Sequence, residues 1–565
     1  MFRTQLINKA FKNDYRNFLG VLTKKKHVWT SDNIVKSPFK DIVIPNISVG
    51  EHLVQNLEKW ATKTAAVCGI TGRQYTYEQV YTHSQRLGAN LRKKLKIQKG
   101  DTIGVILPNM PEYLATLIGS LNAGGVISTM NPNYTAYEIQ RQVTMSDTKL
   151  IFAVRETIDV VKEALKLCQK NIPIIVINLD GSLPEGTISF KELAEDSHVD
   201  VSILKEVKSK GEDISFLPYS SGTTGLPKGV ELTHSNIVAN LLQQDTECRQ
   251  YEYTTETYQD SVLVSLPMFH CYGLTVVTLH KFSVGLKLVT VPQFRPETFV
   301  NILSNFNLNL FYLSPPTVLF MGSYPQVLPE YLEHLRCITC GAAPLPTADI
   351  EKFLSKLKPT AHFAQAYGLT ETSPLATANP IGYKDYSKVG FALPSSSLRI
   401  IDGNNNNLGP DEIGELVMKG PNIMKGYKNN PEANKQVFLE DGWLRTGDLA
   451  KVDEFGAVTI ADRLKELIKV NAYQVPPAEL ESLCKEHPAV FDAAVVPVPD
   501  EKTGEKPKAF IVVKSSAKVN EEDIMAFVAE RVAPYKRLKE VKFIDEIPKN
   551  PSGKILRRVL VEKFC

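Results

Sequence analysis

The chain predicts an α/β protein in two parts: a large N-terminal body on several sheets, mostly parallel with a small antiparallel β part, and a small α+β C-terminal domain. Three observations carry this expectation. From Thr64 onward, short apolar runs alternate with helical patterns, which implies crossover units and parallel sheets with helices on both faces. Between Pro394 and Gly420 the chain becomes rich in turn residues and reads as antiparallel hairpins. Beyond Asp462-Arg-Leu-Lys465 the period changes again, over about 100 residues, enough for a domain that folds alone.

The elements follow in order. The pattern predicts a helix over 78–95, a strand over 102–107, a helix over 111–121 opened by Pro111 and closed by Gly124 and Gly125, and a strand over 126–130. Further strands are expected at 149–153, 174–177, 263–266, 287–291, 310–313 and 337–339. Hairpins are expected at 398–401 with 415–419 and at 450–453 with 457–461. The last part reads as helix 477–486, strands 493–497 and 509–513, helix 521–531 and strand 540–544. Domain limits are accordingly set at 1–33 for a basic extension, 34–464 for the body and 465–565 for the C-terminal domain.

Composition narrows the function classes. At 565 residues the chain exceeds a single core, since domains average roughly 100–200 residues. A net charge of +3 does not imply nucleic acid as a partner. Eight cysteines in so long a chain are no disulfide framework; Cys337 and Cys340 have zinc-ligand spacing without a second pair, which favours buried strand thiols. The charge-free stretches 113–137 and 261–280 are broken by Asn122, Asn131, Pro132, Pro267 and His270 and read as buried helix and strand, not membrane spans. In the first thirty residues Arg3, Lys9, Lys12, Arg16 and Lys24 to Lys26 face only Asp14, and Ile7, Phe11, Tyr15, Phe18 and Leu22 form one stripe. Two readings stay open, a mitochondrial transit peptide or a disordered or surface-bound extension, with the cytoplasm as the alternative location. The end, Glu562-Lys-Phe-Cys565, is neither a peroxisomal signal nor a prenylation box.

One stretch carries chemistry on its face: Tyr219-Ser-Ser-Gly-Thr-Thr-Gly-Leu-Pro-Lys-Gly-Val230. It holds three glycines, four Ser/Thr hydroxyls and one lysine, and a flexible linker has no need of Pro227 and Lys228 between glycines. Glycines turn backbone N–H groups toward a ligand and hydroxyls add donors, so Ser220, Ser221, Gly222, Thr223, Thr224, Gly225 and Lys228 suit phosphate oxygens. It is not a Walker A loop, because Pro227 stands where that pattern needs its second glycine. An apolar run leads in, and a helix cap at Ser235 or Asn236 is expected beyond.

Together with Gln365-Ala-Tyr-Gly-Leu-Thr-Glu371, Gly442-Trp-Leu-Arg-Thr-Gly-Asp448, Asp462-Arg-Leu-Lys-Glu-Leu-Ile-Lys469 and Asn550-Pro-Ser-Gly-Lys554, this loop makes the chain resemble the adenylate-forming superfamily of acyl-CoA synthetases, adenylation domains and firefly luciferase, above all its 4-coumarate-CoA ligase and luciferase-like branch. The five motifs occur in family order over residues 34–560. The resemblance implies an ATP- and magnesium-dependent carboxylic acid–CoA ligase that forms an acyl-adenylate, releases pyrophosphate, and passes the acyl group to coenzyme A.

It also implies roles. Thr223, Thr224 and Lys228 would hold the β and γ phosphates, Thr370 the α-phosphate and Glu371 the magnesium. Tyr367 would stack on adenine against Gly341, Ala342, Ala343 and Pro344, beside Gln365 and Gly368. Asp448 would accept the ribose hydroxyls, and Arg463 would reach ribose and phosphate. Lys554 would hold the carboxylate against the α-phosphate. Lys465 would be the hinge of a mobile C-terminal domain that then brings in Lys469 and Gln474 for the thioester step. His270 would stand at the mouth of the acyl site, lined by Tyr272, Val276, Ala366 and Leu375; Ala366, where coumarate ligases often have glycine, implies a narrower wall. Fatty and aromatic acids both stay open.

Rival readings are an adenylating enzyme that loads a carrier protein, a luciferase-like oxidase, or a nucleotide-binding scaffold without catalysis. No carrier domain follows in this sequence, and a scaffold has no need of Lys228, Glu371, Asp448, Lys469 and Lys554 together. In Val470-Asn-Ala-Tyr-Gln474 the family usually has glycine where this chain has Ala472, beside the pantetheine channel. The added methyl and its restricted φ slow thioester formation without abolishing it. Acyl-CoA yield measured against pyrophosphate release is expected to rise in Ala472→Gly; an unchanged thioester rate would sink this account.

Overall fold

The computed structural model describes residues 28–178, 181–220, 227–245, 250–343, 345–463, 466–470, 473–475, 477–500, 504–515, 517–532, 536–549 and 553–565. Ser221 to Gly225 of the glycine-rich loop, Pro344, Lys465, Ala472 and the basic segment 1–27 therefore lie outside the described residues. Residues 28–33, grouped by sequence with that extension, are docked: Val28 is buried and the Trp29 indole Nε1 donates to the Asp453 carbonyl at 2.9 Å.

Two mostly parallel sheets form the body, as expected; the first is antiparallel where Lys228–Thr233 pairs with Tyr219–Ser220 and with Ile214–Phe216. One runs, in spatial order, Tyr219–Ser220, Lys228–Thr233, Ile214–Phe216, Val126–Thr129, Thr102–Ile106, Thr148–Val154, Ile174–Ile177, Ile188–Ser189. The other runs His362–Gln365, Cys337–Cys340, Leu310–Leu313, Ser261–Val264, Lys287–Thr290, Thr64–Cys68, Gln74–Thr76, parallel except at the last pair. Their central strands are buried at every residue, because helices cover both faces and period-two alternation has nothing to mark. The apolar helix Glu112–Asn122, buried from Glu112 to Leu121, lies in the core. It accounts for the first charge-free stretch, and no described helix is long and apolar enough to cross a membrane.

The second charge-free stretch holds the strand Ser261–Val264 and a π-helix, Tyr272–Leu279, a form that alternating apolar text does not specify. Its second residue is Gly273, where a Cβ would lie 2.2 Å from the Pro267 carbonyl oxygen. Cys337 and Cys340 are buried thiols on one strand, and burial pushes Cys337 up to about 12.

The antiparallel part packs Val35–Lys36, Ser397–Ile401, Gly414–Lys419, Leu444–Val452 and Val458–Arg463 into one sheet. The third strand of the expected hairpins starts at Leu444, not at residue 450, so Leu444 to Asp448 are strand rather than loop. Glycine and threonine in that motif mask the strand, whose partners at Gly414–Lys419 supply its pairing. The C-terminal part has its own apolar core, with Ile468, Val475, Leu480, Val495, Ile511, Ile524 and Val541. Its strands Val490–Asp500 and Gly504–Val513 pair over their full length, longer than the apolar runs alone indicate.

The helix after the glycine-rich loop is His234–Gln243, and its cap is Thr233, not Ser235 or Asn236. The Thr233 hydroxyl accepts from the Asn236 N–H at 3.1 Å, while the Asn236 side-chain oxygen accepts from the Thr233 N–H at 3.0 Å. Asn236 is thus the third helical residue of a capping box. Thr233→Ala is expected to cost about 1 kcal/mol in urea unfolding of the body, whereas Ser235→Ala stays within about 0.5 kcal/mol. Equal losses in the two variants would assign the cap wrongly.

Candidate active site

Parallel strands end together, and the loops that leave their carboxyl ends meet in one crevice. In the second sheet, Cys337–Cys340 runs into Gly341, His362–Gln365 into Ala366, and Leu310–Leu313 into Ser314; Ser261–Val264 leads to the turn that carries His270. Four separated stretches of sequence thereby come to one end of one sheet. Ala342 holds φ +80°, a left-handed value that a residue with Cβ adopts only where its surroundings impose it. Gly341 has the Ala366 carbonyl oxygen 3.0 Å from the place of a Cβ, so backbone meets backbone closely there.

Tyr367 and Gly368 form a short strand against Leu375–Ala378. A Cβ on Gly368 would lie 2.0 Å from the Pro374 oxygen, hence glycine. The Tyr367 hydroxyl donates to Asp448 Oδ2 at 2.6 Å, so the two residues expected at the base and the ribose are joined directly. Asp448 in turn stands opposite Arg463 in strand register. Asp448 is 2% exposed, which shields its carboxylate from bulk water.

Thr370–Thr372 is a single turn of 3₁₀-helix that presents Thr370 and Glu371. Sequence reasoning missed the residue that orients Glu371. The Tyr427 hydroxyl donates to Glu371 Oε1 at 2.8 Å, and the Lys228 ammonium stands 4.8 Å from the centre of the Tyr427 ring. Tyr427 reaches this position because Gly426–Tyr427 pairs with Lys228–Thr233, Val230 opposite Tyr427, and the Met424 N–H donates to the Glu371 carbonyl. Burial, with Glu371 beside it, raises the Tyr427 phenol, which stays protonated and a donor. Among the described residues no cation pairs with Glu371, so its carboxylate is suited to a hard divalent ion, and Lys228 to phosphate on the other face of the ring. Strand pairing brings these distant residues together, and a two-residue strand gives no periodic signal.

His270 lies beside Cys271, a second residue not singled out from sequence. Cys271 Sγ is 3.4 Å from Thr370 Oγ1 and 3.9 Å from His270 Nδ1. Burial opposes charge on both groups, but their proximity raises His270 and lowers Cys271. The thiol thus links the acyl-side histidine to the threonine assigned to the α-phosphate. Val276, Ala366 and Leu375 line one cavity of about 30 Å³, and Tyr272 beside them donates to the Thr339 carbonyl at 3.2 Å.

From the C-terminal part, Gly553 (φ +85°) rests against Pro316, where a Cβ would lie 2.7 Å from the ring. This puts the loop of Lys554 at the carboxyl end of Leu310–Leu313, the same end of the sheet as Gly341. A cleft of about 610 Å³ opens between the two parts, lined by Asn131, Phe294, Ser314, Phe491 and Gly553. Lys469 and Gln474 stand opposite each other in the hairpin of Ile468–Val470 with Tyr473–Val475. That hairpin belongs to the C-terminal sheet through Val470 and Gly504. Lys554 and the Lys469 and Gln474 pair are thus on different elements of one domain.

Comparison with known proteins gives two family matches: "AMP-binding enzyme" over residues 53–428 and "AMP-binding enzyme C-terminal domain" over 479–554. The chain is 35% identical to 4-coumarate–CoA ligase 1 of Arabidopsis thaliana, over 96% of this chain and 98% of that one. It is 37% identical to 4-coumarate–CoA ligase 1 of Petroselinum crispum, over 94% and 96%. Among solved structures, ATP-bound MatB from Rhodopseudomonas palustris superposes with a TM-score of 0.81 at 27% identity, covering 92% of this chain and 99% of that one.

The close contact at Gly368 gives a direct test. Gly368→Ala is expected to destabilise the body by about 1–3 kcal/mol through forced displacement of the Tyr367 to Thr370 segment. Calorimetric titration with ATP should show weakened binding; a variant with unaltered melting and affinity would refute the contact.

Proposed function

The chain belongs to the AMP-binding enzyme family and is an ATP-dependent, AMP-forming carboxylic acid–CoA ligase, and we propose that its acid is a compact one of the 4-coumarate class. The observation that carries the choice of acid is the cavity behind Val276, Ala366 and Leu375. At about 30 Å³ it has room for one water-sized group, so a long acyl chain finds no continuation there. The names of the relatives, 4-coumarate–CoA ligases, agree with a compact acid.

The chemistry must bring a carboxylate against a phosphate. At about 4 Å and an effective dielectric near 20, one such pair of charges repels by roughly 4 kcal/mol. In our assignment Thr223, Thr224 and Lys228 hold the β and γ phosphates and Thr370 the α-phosphate. Tyr427 holds the Glu371 carboxylate, which would bind the magnesium. When bound, the ion neutralises phosphate charge. Asp448 and Arg463 take the ribose, and Tyr367 covers the base. Lys554 draws carboxylate and α-phosphate together, so that attack forms the acyl-adenylate and expels pyrophosphate. The boundary near Lys465 then serves as the pivot between domains of residues 34–464 and 465–565. Rotation exchanges Lys554 for Lys469 and Gln474, the thiol of coenzyme A attacks the acyl carbon, and AMP leaves.

Carboxylate-dependent exchange of labelled pyrophosphate into ATP tests the first half-reaction, and product analysis with coenzyme A the second. Lys554→Ala is expected to lower exchange by roughly 10²–10³-fold. Lys469→Ala leaves exchange within a few-fold and slows the thioester step. Undiminished exchange in Lys554→Ala overturns the assignment of Lys554, and a higher kcat/KM for palmitate than for 4-coumarate overturns the compact acid.

A further inference from the structure

The two lysines assigned to the two half-reactions stand on different elements of the C-terminal domain, and one buried ion cluster ties those elements together. Glu466 directly follows Lys465, the assigned pivot, and precedes Lys469 by three residues. Arg557 follows Lys554 by three residues and opens the helix Arg557–Phe564. Its Nη1 donates to Glu466 Oε2 at 2.6 Å, its Nη2 to Glu481 Oε1 at 2.6 Å, and its Nε to the Val495 carbonyl at 3.1 Å. Glu481 Oε1 also accepts from the Val495 N–H at 2.8 Å, which closes a ring through the helix Pro477–Glu486 and the strand Val490–Asp500.

The side chains of Arg557, Glu466 and Glu481 are 16%, 14% and 8% exposed. Bonds from a guanidinium to carboxylates at this depth are charge-assisted and little screened by salt. One cation faces two carboxylates, so its removal leaves two like charges buried without a counterion. Lysine is no substitute, because the flat guanidinium fork meets both carboxylates and the carbonyl at once, whereas an ammonium is a point charge on a flexible stem.

The turn that carries Lys554 is pinned at its stem. Lys549 bridges Ile555 in antiparallel register, the Leu556 N–H donates to the Pro548 carbonyl at 2.9 Å, and the Lys549 ammonium donates to Asp492 Oδ2 at 2.5 Å. On the other side Leu467 and Ile468 are buried, so the chain enters the domain directly after Glu466 on its way to Lys469. Three residues of chain separate each end of the Arg557 to Glu466 ion pair from one of the two lysines.

We propose that Arg557 is a positioning residue for both half-reactions: through Glu466 and Glu481 it fixes the Lys554 turn relative to the strand of Lys469, so that one rotation of the domain replaces one lysine by the other. Without it, the same rotation leaves each lysine at a variable distance from the reacting atoms, and a misplacement of about 1 Å costs roughly 10²-fold. This rests on the acid–CoA ligase reading and adds to it a residue that touches neither substrate.

The test measures two rates well below the melting temperature, pyrophosphate exchange and single-turnover conversion of the supplied acyl-adenylate by coenzyme A. The substrate is 4-coumarate, or the acid that wild type turns over fastest, and the variants are Arg557→Lys, Glu466→Gln and Ile524→Val. Arg557→Lys is expected to lower kcat of exchange and the rate of the thioester step each by roughly tenfold or more. KM for ATP and for the acid stays within about threefold, since the residues assigned to base, ribose and acyl pocket lie in the body. Glu466→Gln keeps the shape, loses the charge, and lowers both rates by about threefold. Ile524→Val loosens the same domain's core away from the guanidinium and leaves both rates within about twofold. Equal behaviour of Arg557→Lys and Ile524→Val assigns the arginine to stability only and overturns the proposal. A raised KM with unchanged kcat assigns it to binding, and loss of exchange alone assigns it to Lys554 without the coupling; either result overturns the proposal as well. If Arg557→Lys fails to fold, Glu466→Gln decides, and unchanged rates in it overturn the proposal while leaving the ligase reading intact. Absence of wild-type exchange with every acid overturns the ligase reading itself.

Discussion

A carboxylate and a phosphate repel, and everything that surrounds their meeting point in this chain is arranged against that repulsion. The candidate residues come from both sheets: strands from four separated stretches of the second finish within reach of one another, and the first contributes Lys228. No single loop could supply them. The glycine-rich segment brings Lys228 on a strand whose far partner is Tyr427, and Tyr427 in turn holds Glu371. The residues we assign to phosphate and to metal are thereby fastened to one short ladder.

The same economy of connection appears on the acyl side. Cys271 touches both His270 and Thr370, so the residues we assign to the acid and to the α-phosphate share a side chain. The π-helix that follows places Val276 on the cavity and Tyr272 beside it, and leads into the buried His280 and Lys281.

Much of the fold was legible before the structure. Apolar runs at residues 174–177 and 310–313 coincide with strands to the residue, as does the helix Pro477–Glu486, because each is bounded by a clear change in polarity. Misplaced boundaries have physical reasons. The strand Leu444–Val452 begins inside a motif of glycine, threonine and charged residues, where pairing with Gly414–Lys419 outweighs weak local preference. The helix cap fell to Thr233 because its hydroxyl and the Asn236 amide close a reciprocal box, and composition alone does not choose among neighbouring Thr, Ser and Asn.

Sequence by itself determined which chemical groups are present and in what order: a phosphate-suited loop, a Thr-Glu pair, an Asp after Gly, and lysines on a separate C-terminal domain. Motifs are local, and local chemistry is written in neighbouring residues. Tertiary structure alone decided which groups touch. Tyr367 on Asp448 and Tyr427 between Lys228 and Glu371 are contacts between residues up to 199 positions apart. They depend on strand register and on which helix faces the core, and these are fixed by packing of the whole chain, not by any segment of it.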